Sequence, residues 1–583
     1  MNATSNATTK ADHFRSTRSS PSGSDVDDRA EQPTGMSPAV SRLALNTHDS
    51  QVKNPERGAR GGRSDRPGAR RRQVALPPRF GHVPTQLRLL FWARTPSYVC
   101  FFGRKRYAWA VNDAEFHRQL VSNCSWWRKP RGWELDDPDL RSIRESRLDY
   151  EPAVLKDVVP DGLYVLRGPR RVGKSVEVKR AVTRLIDGGV QPRQIIHYAC
   201  DGLTARELRQ VERVGRDQAT AGVEGPRYWF LDEITAVEGW PSEIKWLRDN
   251  TAMRQDCVVL TGSSSRDLDE ARNELAGRRG GAGRSDRLLL PMSFRSFFGQ
   301  LHHDSLPRAP VMRAKDFLGR ECEEAVFELK PWLDQLASAW EVYCRCGGFP
   351  TAVEAQITRG EVSAGFVNDL WDVVAGDALR RSSFNPTQSL VLMLEIGKGL
   401  SSFTNMSNLG RKIGVDHKTA ARRVRDLVEN YLAWPCHQRG AHGFPKLDAQ
   451  SKHYFIDPLL ARLAHLRVDR LPEPDTSAIS EQQVGLHLTR QGAQGDPGAY
   501  AAFSNIMCAR NAARKEVDFV GPALGGLGFE GKYSDTGLEK ESATLRSICS
   551  GQGVMASRTL IGRASRGDVQ FIPSSFVAYL LSE

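Results

Sequence analysis

Over residues 163–300 the pattern of apolar and polar residues switches between two types, one typical of strands and one typical of helices. Short apolar runs of strand type are separated by stretches in which apolar residues recur every three or four positions, the spacing of one helix face. The runs are LYVL at 163–166, IIHYACD at 195–201, YWFL at 228–231 and CVVL at 257–260. Strands that alternate with helices in this way predict a parallel sheet with crossover helices, which is an α/β fold.

Composition places the chain among ordinary globular proteins. It has 583 residues, 40% of them hydrophobic, and a mean hydropathy of −0.46, so about three or four domains with apolar cores are expected. A fully disordered protein, a collagen-like chain and a disulfide-rich miniprotein are thereby excluded. No run of 18 apolar residues occurs, and the first residues, MNATSNATTKADHF, lack the apolar core of a secretory signal. We therefore expect a cytoplasmic location without membrane contact.

The net charge of +13 is unevenly distributed. Residues 1–85 hold 14 Lys and Arg against 8 Asp and Glu, a net charge of +6, and seven of these arginines lie in RGARGGRSDRPGARRR at 57–72. Such a run cannot form a core and is expected to be disordered, either as a phosphate-binding arm or only as a solvated extension. The ten cysteines are scattered, and the closest pair, Cys344 and Cys346, lacks the spacing of a zinc knuckle. Reduced structural thiols are expected.

The segment at 168–175 fits a phosphate-binding loop. It follows the first apolar run, precedes a helical pattern and matches G-x-x-x-x-G-K-[ST] throughout. Its glycines let backbone N–H groups face a β-phosphate, Lys174 is expected to reach the β- and γ-phosphates, and Ser175 to ligate Mg²⁺. The sequence therefore predicts ATP and Mg²⁺ as ligands. The predicted nucleotide-binding residues are Gly168, Pro169, Arg170, Arg171, Val172, Gly173, Lys174 and Ser175.

Two later strands supply the remaining groups of an ATPase site. YWFL is followed by Asp232, which is expected to hold Mg²⁺, and by Glu233, which is expected to polarise the water that attacks the γ-phosphate. The turn after CVVL offers Ser263, and second to it Thr261, as a sensor of the γ-phosphate. An ordinary serine-rich turn is the alternative. A water-polarising Glu233 favours an ATPase over a small-molecule kinase.

Further motifs carry a resemblance to a known family. They are SWWRKP at 125–130, AGR at 276–278, PMSFRSFF at 291–298 and YCRCGGFPTAV at 343–353. With the loop and strands above, they resemble the AAA-type P-loop ATPases of bacteria and archaea that carry an uncharacterised C-terminal region, over residues 113–583. The resemblance implies that Arg278 reaches a γ-phosphate, either in its own subunit or in a neighbouring one. The second case would require a homo-oligomer. A plain surface role for Arg278, or a γ-phosphate contact by Arg279, Arg284 or Arg287, is equally open.

The segment 404–434 predicts a helix-turn-helix. Gly414 ends the first helix, Asp416 caps the second, and a strand-type run, KHYFID at 452–457, fits a wing. The second helix places apolar residues inward and basic residues, including Arg425, outward, where they would face DNA. A winged module that only packs against the ATPase is equally open. The predicted DNA-binding residues are His417, Lys418, Arg422 and Arg423.

The last segment resembles the PD-(D/E)XK nuclease arrangement. Glu481 lies in a helical stretch, Asp518 in a strand-type run, and Glu530 and Lys532 two positions apart in another. Asp518 and Glu530 would share one Mg²⁺, and Lys532 would stabilise the attacking water or the scissile phosphate. The resemblance implies that this nuclease-like fold continues to residue 583. Asp518, Glu530 and Lys532 are therefore candidate catalytic residues, or else ion-paired residues of an inert domain.

These patterns together predict a multidomain α/β ATPase. Its predicted parts are a disordered basic extension over 1–112, an AAA-type P-loop ATPase core over 113–300, a helical lid or linker over 301–390, a winged helix-turn-helix over 391–470 and a PD-(D/E)XK nuclease-like domain over 471–583. The predicted function is an ATP-hydrolysing switch or motor on nucleic acid, with Glu233, Ser263 and Arg278 at the ATPase site. A nucleotide-gated DNA-binding regulator with little turnover and an ATP-regulated nuclease are the alternatives.

Overall fold

The computed structural model of the chain describes residues 113–303, 305–379, 385–468, 470–495 and 505–582. The predicted basic extension over 1–112 lies outside the described residues. The described α-helices are α1 Asp113–Asn123, α2 Pro138–Glu145, α3 Lys174–Asp187, α4 Ala205–Val214, α5 Trp240–Asn250, α6 Leu268–Glu274, α7 Phe294–Leu301, α8 Arg320–Leu329, α9 Leu333–Cys346, α10 Pro350–Arg359, α11 Ala364–Trp371, α12 Pro386–Lys398, α13 Met406–Ile413, α14 His417–Glu429, α15 Pro458–Arg467, α16 Thr476–Gly495, α17 Leu538–Ile548 and α18 Ser574–Leu581. The described strands are β1 Leu163–Arg167, β2 Ile195–Ala199, β3 Tyr228–Asp232, β4 Cys257–Gly262, β5 Asp286–Leu288, β6 Ala433–Arg439, β7 Pro445–Lys446, β8 Lys452–Phe455, β9 Met507–Arg510, β10 Glu516–Val520, β11 Gly528–Gly531, β12 Gly553–Ser557, β13 Gly562–Arg563 and β14 Val569–Pro573.

The first sheet has the strand order β2-β3-β4-β1-β5 within the described residues, and its neighbouring strands are parallel. This confirms the parallel-sheet core that the sequence predicts. β4 lies between β1, which leads into the phosphate loop, and β3, which ends at Asp232. The carboxyl ends of β1, β3 and β4 therefore lie side by side at one edge, where parallel α/β sheets bind their ligands.

Both faces of this sheet are covered, as parallel sheets require. Along β1, Leu163 and Val165 join one buried apolar cluster, whereas Tyr164 and Leu166 join another. The alternation follows from the two-residue period of a strand. The second cluster is not confined to the ATPase core, because it continues through the helices after residue 294 as far as Leu581.

The second sheet joins the strands that follow α14 to the C-terminal region. β6 pairs antiparallel with β8 and parallel with β9. In the described part of the chain the order is β13-β14-β12-β11-β10-β9-β6-β7, with β8 also on β6. The sheet thus crosses residue 470, where the sequence predicts a domain boundary, and the boundaries themselves stay predictions.

Two of the motifs that carry the family resemblance pack on each other. Tyr343 donates its hydroxyl to Met292 O at 2.8 Å, and Met292 N donates to Gly348 O at 2.7 Å. Gly348 N in turn donates to Asp457 Oδ2 at 2.8 Å, and Asp457 also caps α15 through Leu459 N. A Cβ at Gly348 would lie 2.3 Å from Met292 O, so only glycine allows this approach. These motifs therefore have a structural role that joins α7, α9 and α15.

Two negative findings concern the described residues alone. Their nine cysteines are all buried thiols outside any disulfide. None of their helices combines the length and the apolar character that a bilayer span needs.

We predict that Gly348→Ala destabilises the protein by about 2 kcal/mol, because overpacking against backbone forces a shift. Gly365→Ala is the matched control, since Gly365 lies in α11 with open space around its Cβ position and alanine is the better helix former. Calorimetric melting of both variants tests this. Equal Tm values for the two would show that the contact with Met292 O does not limit stability.

Candidate functional site

The phosphate loop connects the buried strand β1 to the start of α3. Gly173, directly before α3, has a φ of 94°, in the left-handed region that favours glycine. A Cβ at Gly168 would lie 2.0 Å from Leu289 O, so the loop can pass there only as glycine. A glycine-rich loop that ends at a helix N-terminus is suited to bind phosphate.

Lys174 is buried inside this loop. Its Nζ donates to Gly168 O and to Pro169 O at 3.0 Å each. Burial lowers the pKa of Lys174, against the opposing charges of Glu233 and Asp232. Anionic phosphate oxygens beside this ammonium would favour its charged form more strongly than the neutral carbonyls do.

Ser175 and Asp232 meet at the sheet edge. Ser175 Oγ donates to Asp232 Oδ2 at 2.9 Å. Neighbouring ligands of an octahedral Mg²⁺ with bonds of about 2.1 Å lie about 3 Å apart. The hydroxyl and the carboxylate therefore fit as two of its ligands, and the structure brings together the two residues that the sequence predicts to hold Mg²⁺.

One hydrogen-bond network joins the ends of β3 and β4. Thr261 Oγ1 donates to Asp232 Oδ1 and accepts from Glu233 N at 3.0 Å. Ser263 Oγ donates to Glu233 Oε2 at 3.1 Å. Glu233 has a φ of 52°, a left-handed conformation that is uncommon for residues other than glycine and occurs at functional sites. Buried Thr261 thus positions both acids, and Ser263 contacts the one predicted to polarise water.

His197 is a neighbour of this network that the sequence interpretation missed. It lies on β2, and its Nε2 is 4.0 Å from Asp232 Oδ2. Burial lowers the pKa of His197 although Asp232 opposes this. The lowered pKa favours the neutral form of the imidazole. A polar residue inside an apolar strand run was the available signal.

Arg278 points to α5 in this structure. Its guanidinium binds Asp249 in two-pronged fashion, with Nε 2.8 Å from Oδ1 and Nη2 2.8 Å from Oδ2. Arg279, one of its competitors, pairs with Asp286 at 2.8 Å. The predicted contact of Arg278 with a γ-phosphate stays a prediction.

The loop after β4, residues 263–267, is here called the sensor loop. Buried Arg167, at the end of β1, donates to Ser264 O at 2.6 Å and pairs with Asp267 at 3.2 Å. The loop is therefore anchored to the strand that leads into the phosphate loop.

The sensor loop also contacts the last turn of α14. Ser265 N donates to Glu429 O at 2.7 Å, and Ser265 Oγ to the same oxygen at 3.2 Å. Arg266 pairs with Glu429 at 2.8 Å and with Asp426 at 3.2 Å. Carbonyls at a helix C-terminus lack partners within the helix, and here the sensor loop supplies donors.

α13 and α14 lie where the sequence predicts the two helices of the helix-turn-helix. Gly414 ends α13 with a φ of 81°. Asp416 caps α14 by accepting from Lys418 N at 2.9 Å and Thr419 N at 3.0 Å. The buried apolar residues of α14 are Ala420, Val424, Leu427 and Val428. The exposed basic residues of α14 are His417, Lys418, Arg422 and Arg425.

The prediction that Arg423 points outward to DNA is wrong. Arg423 is only 1% exposed, and its Nη1 donates to Asp426 Oδ2 at 2.7 Å. Asp426 also binds Arg266 of the sensor loop. The sensor loop therefore contacts α14 beside Arg423, a tertiary contact that helical periodicity alone does not reveal.

The predicted acids of the last segment converge in the second sheet. Asp518 and Glu530 are both buried, and Asp518 N donates to Glu530 Oε2 at 3.2 Å. Lys532 Nζ lies 3.1 Å from Glu530 Oε1. Glu481, on α16, accepts from Tyr454 Oη at 2.5 Å. We call Glu481, Glu516, Asp518 and Glu530 the carboxylate centre.

A second lysine, absent from the sequence interpretation, lies in this centre. Lys452 of β8 is 1% exposed, and its Nζ is 2.8 Å from Asp518, 3.3 Å from Glu516 and 3.4 Å from Glu481. Burial alone would lower the pKa of Lys452, but the charges of these three carboxylates outweigh it and raise the pKa above its usual value.

Two carboxyl groups of the centre hold protons more tightly than usual. Burial, with the charge of Asp518 next in size, raises the pKa of Glu481 to about 7 and that of Glu530 to about 8. Protonation at neutral pH therefore relieves part of the repulsion between the acids.

Comparison with known proteins supports the AAA assignment of the core. Residues 161–298 match the model of a family described as AAA domain. No curated protein sequence matches the chain. Among solved structures, the chain is similar to a Walker-type ATPase of Pyrococcus abyssi, with 16% identity, a TM-score of 0.32 and coverage of 56% of this chain and 94% of that one. It is also similar to the ORC2 protein of Aeropyrum pernix in ADPNP-ADP complexes, with 12% identity, a TM-score of 0.27 and coverage of 56% and 92%.

The family match defines the class of this segment. Residues 161–298 contain the phosphate loop, both acids that follow β3, the sensor loop and all strands of the parallel sheet. The match to the AAA domain therefore includes every element of the proposed nucleotide site.

We predict that Arg423→Ala lowers the free energy of unfolding by about 2 kcal/mol or more, because it removes a buried cation and leaves Asp426 with a weaker set of partners. Arg422→Ala is the neighbouring control. It should change the free energy of unfolding by less than about 0.5 kcal/mol, since Arg422 is exposed. Thermal unfolding of both variants measures the difference. Indistinguishable melting curves would contradict the buried position of Arg423.

Proposed function

We propose that the chain is an ATP-hydrolysing AAA-type switch whose nucleotide state controls how its helix-turn-helix binds nucleic acid in the cytoplasm. The contact between the sensor loop and the last turn of α14 carries this proposal. Ser263 bonds the acid predicted to polarise water, and Ser265, two residues later, bonds the last carbonyl of α14.

Each side chain of the proposed ATPase site has one role. The phosphate loop and Lys174 would bind the β- and γ-phosphates, and Glu233 would orient the attacking water. Mg²⁺ between Ser175 and Asp232 would neutralise phosphate charge when bound. In a homo-oligomer, Arg278 would leave Asp249 to contact the γ-phosphate of a neighbouring copy.

The sensor loop gives the nucleotide a route to α14. A γ-phosphate that accepts a hydrogen bond from Ser263 would compete with Glu233 for that hydroxyl. Because Arg167 holds the middle of the loop, a shift at Ser263 changes the position of Ser265 and Arg266 relative to α14. A ligand shifts an equilibrium only through a difference in contacts between two states, and these bonds supply one.

The exposed face of α14 is suited to a polyanion. Lys418, Arg422 and Arg425 line one surface groove together with Thr419 and Ala421. Cations on an exposed helix gain affinity for DNA by releasing counterions from the phosphates. The last turn of the same helix contacts the sensor loop through Asp426 and Glu429, so one rigid helix joins the two proposed functions.

The alternative of a regulator with little turnover keeps the same contacts without hydrolysis. The position of Glu233 favours turnover, because its N–H is fixed by Thr261 and its carboxylate by Ser263. Catalytic groups must be held close to the productive geometry, and this acid is held from both ends.

We expect Lys174→Ala to abolish ATP binding or turnover, because it removes the cation at the β- and γ-phosphates. Glu233→Gln should bind ATP normally and lose hydrolysis by about a hundredfold or more, the usual effect of removing a positioned base. Nucleotide binding by calorimetry and phosphate release measure the two effects. Hydrolysis by Glu233→Gln at the wild-type rate would refute the role given to Glu233.

We expect Arg266→Ala to uncouple the two sites. The wild-type affinity for duplex DNA should differ between ADP and a non-hydrolysable ATP analogue, by about 5- to 150-fold if the coupling is of ordinary size. In Arg266→Ala the ratio should approach 1, while ATP and DNA each still bind. Fluorescence anisotropy with labelled DNA measures these affinities.

Charge reversal at Lys418 and Arg422 is the matched control. It should weaken DNA binding in both nucleotide states and flatten the salt dependence, because fewer counterions are released. Unchanged affinity and salt slope in that variant would leave the helix-turn-helix as a packing module. A full nucleotide effect in Arg266→Ala would instead reject only the route through the sensor loop.

A further inference from the structure

The carboxylate centre already contains a cation of the protein's own. The Lys452 ammonium has three N–H donors, and carboxylates of three different residues lie within 3.4 Å of it. We propose that Lys452 occupies the cation position of this centre and that the centre does not take a divalent metal ion.

The oxygens of the two predicted metal ligands all face protein donors. For Asp518, Oδ1 binds Lys452 and Oδ2 accepts from Gly531 N at 3.0 Å. For Glu530, Oε1 binds Lys532 and Oε2 accepts from Asp518 N. A metal ion at Asp518 would have to displace the Lys452 ammonium or lie beside it, and like charges at that distance repel each other.

The donor set as a whole also argues against a metal ion. Within the described residues, His, Cys, Asp and Glu side chains form no group of three or more that is arranged to hold one. The acids of this centre surround an ammonium instead.

The backbone fixes Lys452 in place. Lys452 pairs with Cys436 of β6 on one side and bridges to Phe403 on the other. The side chain therefore enters the centre from a strand that is held along both edges. Its rotation out of the centre would expose buried acids without a counter-charge, which is strongly unfavourable.

Access from solvent does not explain the choice of cation. A cavity of about 400 Å³ reaches Glu481 and Lys532, with Ser401, His465 and Asp475 on its walls. A hydrated ion in this cavity would be next to the centre. The acids therefore bind Lys452 because its ammonium already occupies the centre, and not because the protein surface keeps ions out.

The resident cation links three parts of the chain. Lys452 belongs to the wing strand β8, Glu481 to α16, and Asp518 to β10. Their ion pairs span 29 and 66 residues of sequence. The centre thus ties the wing to the nuclease-like sheet, a structural role that is independent of whether the ATPase core hydrolyses ATP.

Mn²⁺ binding to the full chain without nucleotide tests the proposal. Electron paramagnetic resonance of free Mn²⁺ should show no wild-type site that disappears in Asp518→Asn. Lys452→Met keeps the length and apolar stem of the side chain but removes its charge. This variant should bind Mn²⁺ at the centre about tenfold or more tightly than wild type does. That site should disappear in the double variant Lys452→Met/Asp518→Asn.

Lys532→Met is the matched control, because it removes the half-exposed lysine and leaves Lys452 in place. It should gain no such site. Wild-type Mn²⁺ binding that depends on Asp518 would overturn the proposal, and so would a folded Lys452→Met that gains none. If Lys452→Met does not fold, the comparison of wild type with Asp518→Asn decides alone. Cleavage of single- or double-stranded DNA by wild type with Mg²⁺ or Mn²⁺, lost in Asp518→Asn, would also overturn it.

Discussion

The parallel register of β1, β3 and β4 is the constraint on which the polar groups of the core depend. Leu166 lies opposite Thr261, and β3 ends one strand further along the same edge. The loops that follow β1, β3 and β4 come from distant parts of the sequence, and the sheet therefore brings them close enough for hydrogen bonds. Thr261 has a central place because it bonds to both acids that follow β3. β4 lies between β3 and β1, so a hydroxyl at its end is next to residues of both strands. A strand at the edge of the sheet has only one neighbour.

Local patterns in the sequence were sufficient to predict the parallel-sheet core. Residues whose positions depend on long-range contacts were predicted less well. The phosphate loop and its flanking elements are contiguous, so spacing alone predicts them. Arg423 was placed on the wrong side of α14 because its partner Asp426 is also bound by Arg266, in a loop 160 residues earlier. Lys452 was missed because its acidic partners lie 29 to 66 residues later, on α16 and β10. Glu530 and Lys532, two positions apart on one strand, were placed together correctly.

The two halves of the chain use buried charge differently. In the core, Lys174 is held by neutral carbonyls and Asp232 by hydroxyls, which leaves charge to be balanced by a ligand. In the carboxylate centre the acids meet lysines of the protein itself, and two carboxyl groups have raised pKa values. A site whose charges are balanced internally gains rigidity, whereas one with neutral partners keeps its charge available. This contrast fits a responsive site in the first half and a fixed one in the second.

Helix α18 has a consequence for the order in which the protein folds during synthesis. Its Tyr579 donates to Pro307 O across 272 residues, and Leu580 O accepts from Met312 N. Phe298 of α7 packs against the same tyrosine ring. Phe294 and Phe297 of α7 already pack on Trp340 and Tyr343 of α9. Until the ribosome has delivered residues 574–581, however, Phe298 lacks its contact with Tyr579, and contacts of such large sequence separation form slowly. Between the synthesis of α7 and that of α18 the nascent chain therefore carries a partly uncovered aromatic surface, of the kind that chaperones bind.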